Sequence, residues 1–285
     1  MAKTAAKGFA LVIVLWAAAI LSLIAAALLT DSLVSMRTAH TSLDRGRLEG
    51  VADAAMNRAV LALLDRRLEQ RWRVDGIPQD FVFDGFRATV RIEDEYGKID
   101  INHTDRSNLV ALLNAAGVSP DDVDSLADKI LDWREDSPFK RLHGAKSTDY
   151  EDADYSYIPR QAPFQTLDEL KLVMNMTPEL YSRISSAITI YSQQPTIDPS
   201  TAPALVRQAY GLQDTSDDAV SRGRTIEGAI DPSISDGGWA FTVNVSIPAG
   251  NEVGFTQDTV VRLTGDPKHP FWVLARHEEF TRVSG

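Results

Sequence analysis

The chain has 285 residues and no cysteine, which excludes disulfide scaffolds, cysteine-ligated zinc, iron–sulfur clusters and thiol catalysis. Its 29 Lys and Arg against 40 Asp and Glu leave a formal charge of −11, the opposite of what sequence-independent nucleic-acid binding requires. A chain of this length forms one large domain or two ordinary ones and needs no metal merely to fold.

From Phe9 to Leu29 only Ser22 falls outside the hydrophobic set, and no side chain carries charge. At about 1.5 Å per residue such a helix spans about 30 Å, the hydrocarbon core of a bilayer. A buried core helix is the competing reading, but a segment apolar on every face leaves no side for water. Lys3 and Lys7 precede the run, and the positive-inside tendency holds them in the cytoplasm. That predicts a single-pass protein of the cell inner membrane with its C-terminal bulk in the periplasm. Two processing events compete at this end. A secretory peptidase would cut near Ala25-Ala26-Ala27, whereas a cut between Gly8 and Phe9 would leave the whole apolar helix on the mature chain.

Beyond the run, Leu33, Met36, Leu43, Leu48, Val51, Ala55, Ala59, Leu63 and Leu64 recur among charged residues at helical spacing, so the helix is expected to continue to about Arg73. Phe81-Val82-Phe83, Arg87 to Glu93 and Lys98 to Ile101 alternate as strands, with turns at Asp84-Gly85 and Tyr96-Gly97. Helical spacing then takes over. Leu109, Leu112 and Leu113 mark a short helix closed by Gly117, and Ser119-Pro120-Asp121-Asp122 opens the next, which turns Val123, Leu126, Ile130, Leu131 and Trp133 inward. Further helices are expected over Thr166 to Met174, Thr177 to Ile190, Ala202 to Tyr210 and Asp217 to Arg224. Strands return at Trp239 to Ile247, Thr259 to Leu263 and Phe271 to Arg276, separated by Pro248-Ala249-Gly250 and Gly265-Asp266-Pro267.

Candidate metal chemistry lies between Asp132 and Asp154. Asp132, Glu135 and Asp136 close a helix, and Asp149, Glu151, Asp152 and Asp154 crowd a loop. Hard oxygen donors on a flexible loop suit Ca²⁺, although the EF-hand spacing is absent. A solvated acidic loop is the alternative. The two helix pairs around Ala116-Gly117-Val118 and Asn175-Met176-Thr177 look like DNA-binding helical hairpins, but Asp121, Asp122, Asp124 and Glu179 beside them would repel phosphate, so no nucleic acid is expected. The five histidines form no H-E-x-x-H, and neither G-x-S-x-G nor a phosphate loop occurs, so the chain is not expected to be an enzyme.

Lys7-Gly8-Phe9, the apolar run and its amphipathic continuation resemble a type IV pilin-like leader and helix. The resemblance implies cleavage after Gly8 by a prepilin peptidase and methylation of Phe9. Pilin-like subunits usually carry Glu at the fifth mature position, where this chain has Ile13, and a buried carboxylate without a partner would be costly in hydrocarbon. Together with Asp100-Ile101-Asn102, Ala127-Asp128-Lys129-Ile130-Leu131-Asp132-Trp133, Tyr157-Ile158-Pro159-Arg160-Gln161-Ala162-Pro163-Phe164, Leu167-Asp168-Glu169-Leu170, Met176 to Tyr181 and Ile197 to Pro203, this resembles the minor pseudopilin K family of the type II secretion system. The resemblance implies an α+β fold, with a pilin-like N-terminal helix on an antiparallel sheet and a large inserted all-α domain. The expected divisions are a leader at 1–8, a membrane helix at 9–29, a pilin-like part at 30–102, the insert at 103–235 and C-terminal strands at 236–285. It also implies structural calcium in the acidic loop, with Lys146 standing where the family usually has Glu. The implied role is assembly of the pseudopilus tip and export of folded proteins from the periplasm across the outer membrane. The implied partners are minor pseudopilins of types I and J, the major pseudopilin and secreted exoproteins. A membrane-anchored or secreted calcium-binding domain without a filament is the competing class, and a DNA-uptake component a third.

Overall fold

The apolar run and the stretch after it form one helix, α1 (Ala5–Leu64). It ends earlier than Arg73 because Asp65 accepts the backbone N–H of Arg67 at 2.9 Å and pairs with its guanidinium, a local turn that competes with the helix. The computed structural model describes residues 5–65, 67, 72–212, 239–248 and 253–282, with α1 side chains described at 12–24, 36, 39 and from 42 onward. The chain divides into two units, Met1–Val51 and Ala52–Gly285. In the first, every side chain described between Val12 and Ile24 is exposed, Val14, Trp16 and Leu21 at 67% each. Ser22, the one polar residue there, donates to the Ala18 carbonyl at 2.8 Å and so satisfies itself within the helix.

In the second unit, Ala52, Ala55, Met56, Ala59, Val60 and Leu63 of α1 are buried at the spacing of a helix with one apolar face. Five antiparallel strands form a sheet in the order β1 (Gln79–Phe83), β2 (Phe86–Asp94), β5 (Trp239–Ile247), β6 (Val253–Leu263) and β7 (Phe271–Arg282). Asp84 and Gly85, at φ 49° and 80°, make the two-residue turn between paired Phe83 and Phe86, a conformation in which both central residues need positive φ. Ala88, Val90 and Ile92 bury alternate positions of β2, and Val243 and Val245 continue that face on β5. An ion pair of 3.1 Å between Arg276 and Asp53 joins β7 to α1.

The sheet neighbours β2 and β5 are separated in sequence by the whole helical insert. Within it lie β3 (Ile99–Asp100), α2 (Arg106–Ala115), α3 (Pro120–Arg134), α4 (Ser147–Asp152), α5 (Pro178–Ile184), β4 (Ile188–Thr189) and α6 (Ala204–Ala209). The chain is therefore α+β, with an antiparallel sheet and a mostly helical domain between its strands. The expected boundary at 235 and the helix expected over Asp217 to Arg224 lie outside the described residues.

Several elements differ from expectation. Leu167–Leu172 is a 3₁₀ helix, and the helix expected to Ile190 stops at Ile184. There Ile188 and Thr189 pair in parallel with Ile99 and Asp100, so a strand partner far along the chain outweighs local helical spacing. Residues 147–152, expected as loop, form α4. Strands β6 and β7 run longer than their apolar cores, because ladder pairing from Val253↔Arg282 to Leu263↔Phe271 carries the polar positions along.

The core of the insert gathers Ile99, Leu109, Leu112, Leu113, Leu126, Ile130, Trp133, Tyr150, Phe164, Leu170, Ile184 and Val206. Trp133 stacks on Phe164 at a centroid distance of 6.2 Å and lies against Tyr150 and Tyr157. The five inward positions expected on α3 are all buried.

Candidate functional site

The acidic segment lies where α3 ends. Helix α3 starts at Pro120 after Ser119, with Asp121 and Asp122 on the positive end of its dipole, although the Ser119 hydroxyl makes no cap bond and instead contacts Asp122 at 3.1 Å. Asp128 and Asp132, one turn apart, are buried among the apolar residues of its inner face. At the far end of the helix the last carbonyls lack intrahelical donors. Lys146 supplies them: its Nζ donates to the carbonyls of Asp132 and Glu135, each at 2.9 Å, from a side chain that is itself buried.

The carboxylates of this end have partners too. Arg141 grips Glu135 with bonds of 2.6 and 2.7 Å, and its backbone N–H reaches Asp132 at 3.0 Å. Lys140 pairs with Asp149, which also accepts the Lys146 backbone N–H at 2.9 Å and so caps α4. His143 gives its backbone N–H to Asp128 at 3.2 Å, and Arg106 holds the other oxygen of Asp128 at 2.6 Å. A Cβ on Gly144 would stand 1.8 Å from the Asp132 carboxylate, so the 141–144 turn packs onto that group as only glycine permits. Burial pushes the Asp132 carboxyl up, while the Arg141 N–H and the Lys146 and Arg141 charges pull it back. Asp149 is held below the usual carboxylate range, first by the Lys140 hydrogen bond and then by the Lys146 N–H.

Of the seven acids singled out from sequence, Asp132, Glu135 and Asp149 thus meet basic residues, while Asp136, Glu151, Asp152 and Asp154 are exposed. Among the described residues no three His, Asp or Glu side chains come together to hold a metal ion. The donor set does not fit calcium, which takes six to eight oxygens around one point. What the sequence reading missed is Lys146 as a partner for the α3 end. Its signal was the interleaving of Lys140, Arg141 and Lys146 with the acids.

Two further placements concern the helix pairs and the N-terminus. Gly117, at φ 79°, closes α2, and Asn175, at φ 71°, turns the chain before α5; Lys129 of α3 donates to the Asn175 side chain at 2.6 Å and so links the two hairpins. Gly8, Phe9 and Ile13 lie on the helical backbone of α1, with the Ile13 side chain exposed and the Phe9 side chain outside those described. Among the described residues no helix is long and apolar enough to cross a membrane, and in the Phe9 to Leu29 run those described side chains extend only from Val12 to Ile24.

Residues 93–193, which run from the end of β2 through β4 and contain the α3 end and its cations, match the family model for the type II secretion system (T2SS), protein K. This region is similar to protein K of the type II secretion system. Over most of the chain, the fold is matched by a chain in the crystal structure of the GspK-GspI-GspJ complex from the enterotoxigenic Escherichia coli type 2 secretion system. The match has a TM-score of 0.58 at 15% identity, over 84% of this chain and 98% of that chain. No curated protein matches. The protein K segments recognised in the sequence meet in space: Asn102 of the first lies against Phe164 of the third, and Trp133 of the second stacks on that same Phe164. The matched region is also tied to the sheet. Glu95 receives hydrogen bonds from Thr242 of β5 at 2.6 Å and from Thr189 of β4, and it pairs with buried Lys98 at 2.7 Å.

Proposed function

We propose that the chain is a minor pseudopilin of K type, acting in assembly of the pseudopilus tip and, through it, in export of folded proteins across the outer membrane. A prepilin peptidase cuts after Gly8, Phe9 becomes the methylated N-terminus, and the helix that follows anchors the chain in the inner membrane with the sheet and insert in the periplasm. The observation that carries the reading is the protein K match over residues 93–193, in a chain whose α1 holds an apolar run with every described side chain from Val12 to Ile24 exposed. Exposed Val12, Val14, Trp16, Leu21 and Leu23 need lipid or partner helices around them, since water would not tolerate so continuous an apolar surface. The neighbours of that helix are pseudopilins of types I and J and the major pseudopilin, and the insert faces exoproteins at the tip. At Ile13 no carboxylate awaits a partner, which suits a subunit with nothing above it. The role is assembly rather than catalysis.

Mass spectrometry of the mature protein from its own membranes tests this. An N-terminal methylated Phe9 is the expected result; a start at Leu28 would overturn the proposal in favour of a soluble periplasmic protein.

A further inference from the structure

We infer that Lys146 acts as a tethered cation at the end of α3, so that the insert closes its acidic segment without calcium. The oxygens at this place are those a divalent ion would seek, namely two backbone carbonyls at the negative end of a helix with carboxylates beside them. The ammonium of Lys146 already meets both carbonyls at 2.9 Å. Of the other acids here, Glu135 is paired with Arg141 and Asp149 with Lys140, and Asp136 is exposed. Asp132 is closed off by the Arg141 backbone and by the approach of Gly144. A calcium ion entering here would displace an ammonium bound to the same chain and would stand beside it and the Arg141 guanidinium, where like charges repel.

Covalent attachment explains why a monovalent group suffices. A free ion must be drawn from solution at its ambient concentration, whereas Lys146 arrives with α4, whose first turn is fixed by the Lys146 N–H to Asp149 bond of 2.9 Å. The same residue therefore sets the end of α3 with its side chain and the start of α4 with its backbone. Between them runs the turn from Ser137 to Ala145, whose exposed Phe139 and Leu142 do not contribute to the core. This inference concerns the stability of the insert and stands apart from the role in pseudopilus assembly.

The test uses the full chain in detergent. Calcium chloride is titrated calorimetrically, and thermal unfolding is followed with millimolar calcium and with chelator. The wild type is expected to give no saturable binding heat, and a Tm that differs by less than about 1 °C between the two conditions, because a ligand that does not bind the native state cannot stabilise it. Stoichiometric binding below millimolar calcium, or a Tm several degrees higher with calcium, would overturn the inference. Lys146→Met supplies the second arm. Loss of the ammonium is expected to lower the Tm by several degrees with or without calcium, whereas a Tm equal to that of the wild type would show that the carbonyls of Asp132 and Glu135 do not depend on Lys146.

Discussion

Asn102 and Phe164, 62 residues apart, exchange two hydrogen bonds: the Asn102 side chain donates to the Phe164 carbonyl at 2.9 Å and accepts the Phe164 N–H at 2.8 Å. The amide thus serves as a strand edge for a loop that has no strand. It also fixes the ring of Phe164 under Trp133, so a polar contact positions the apolar core. Asn102→Ala would leave a backbone donor and an acceptor unpaired in a partly buried site. The expected loss is about 1–3 kcal/mol. Thermal unfolding of the full chain measures it, at roughly 2–4 °C per kcal/mol for a domain of this size. No change in Tm would show that water replaces both bonds.

Gly144→Ala tests the packing of the 141–144 turn. The added methyl would meet buried Asp132 at 1.8 Å, and neither the α3 backbone nor the Lys146 contact leaves room for an easy shift. A loss of about 1–3 kcal/mol is expected from overpacking. Gly46→Ala is the control, because nothing lies within 4 Å of its new methyl and it sits inside α1, where alanine is favoured by about 1 kcal/mol. Opposite signs in chemical denaturation would bear out the distinction.

Asp94 predicts a pH dependence. Burial, with Asp198 and Glu95 nearby, pushes its carboxyl up to about 7, against the N–H of Tyr96 that favours the charged form. The folded state therefore holds a proton that the unfolded chain releases near its ordinary value of 3.8. The contribution of Asp94 to stability is full below that value and is lost as pH rises through about 7. Asp94→Asn keeps a neutral group beside Thr201 and Tyr96 and should remove the loss. Unfolding curves at pH 4 and pH 8 would show similar stabilities at the lower pH and a gain on the order of a few kcal/mol for the variant at the higher.

Glu95 joins the insert to the sheet. Its carboxylate receives Lys98, Thr189 and Thr242, and the Lys98 ammonium, lowered by burial alone, is carried above its ordinary value by Glu95 and Glu93. Glu95→Ala would strand a buried ammonium with only Glu93, at 3.0 Å, to answer it. A loss of about 3–5 kcal/mol is expected. Limited proteolysis would show earlier cleavage between β2 and α2 in the variant, and an unchanged digestion pattern would count against the role of this contact.

Local chemistry determined much of this protein. Asp84-Gly85 demanded a two-residue hairpin turn, Ser119-Pro120 with its acids demanded the start of α3, and the alternation over Trp239 to Ile247 demanded β5 from end to end. Each of these signals acts within a few residues, so sequence alone carries it. The short segments read between Asp100 and Tyr181 were legible in the same way, and they fall within the matched residues 93–193.

Tertiary structure decided what depends on partners distant in sequence. Ile188 and Thr189 became a strand because Ile99 and Asp100 were there to pair with them, and polar Gln257 was buried in β6 because the ladder to β7 ran past it. At the acidic segment the sequence supplied the residues but not their partners. Seven acids close together in sequence suggested calcium, but the fold turned four toward water and gave the other three to Arg141, Lys140 and the Lys146 backbone. Composition records how many charges a segment carries. Which of them meet is set by the path of the backbone, and that path is fixed by the burial of Trp133, Tyr150 and Phe164 rather than by the charges themselves.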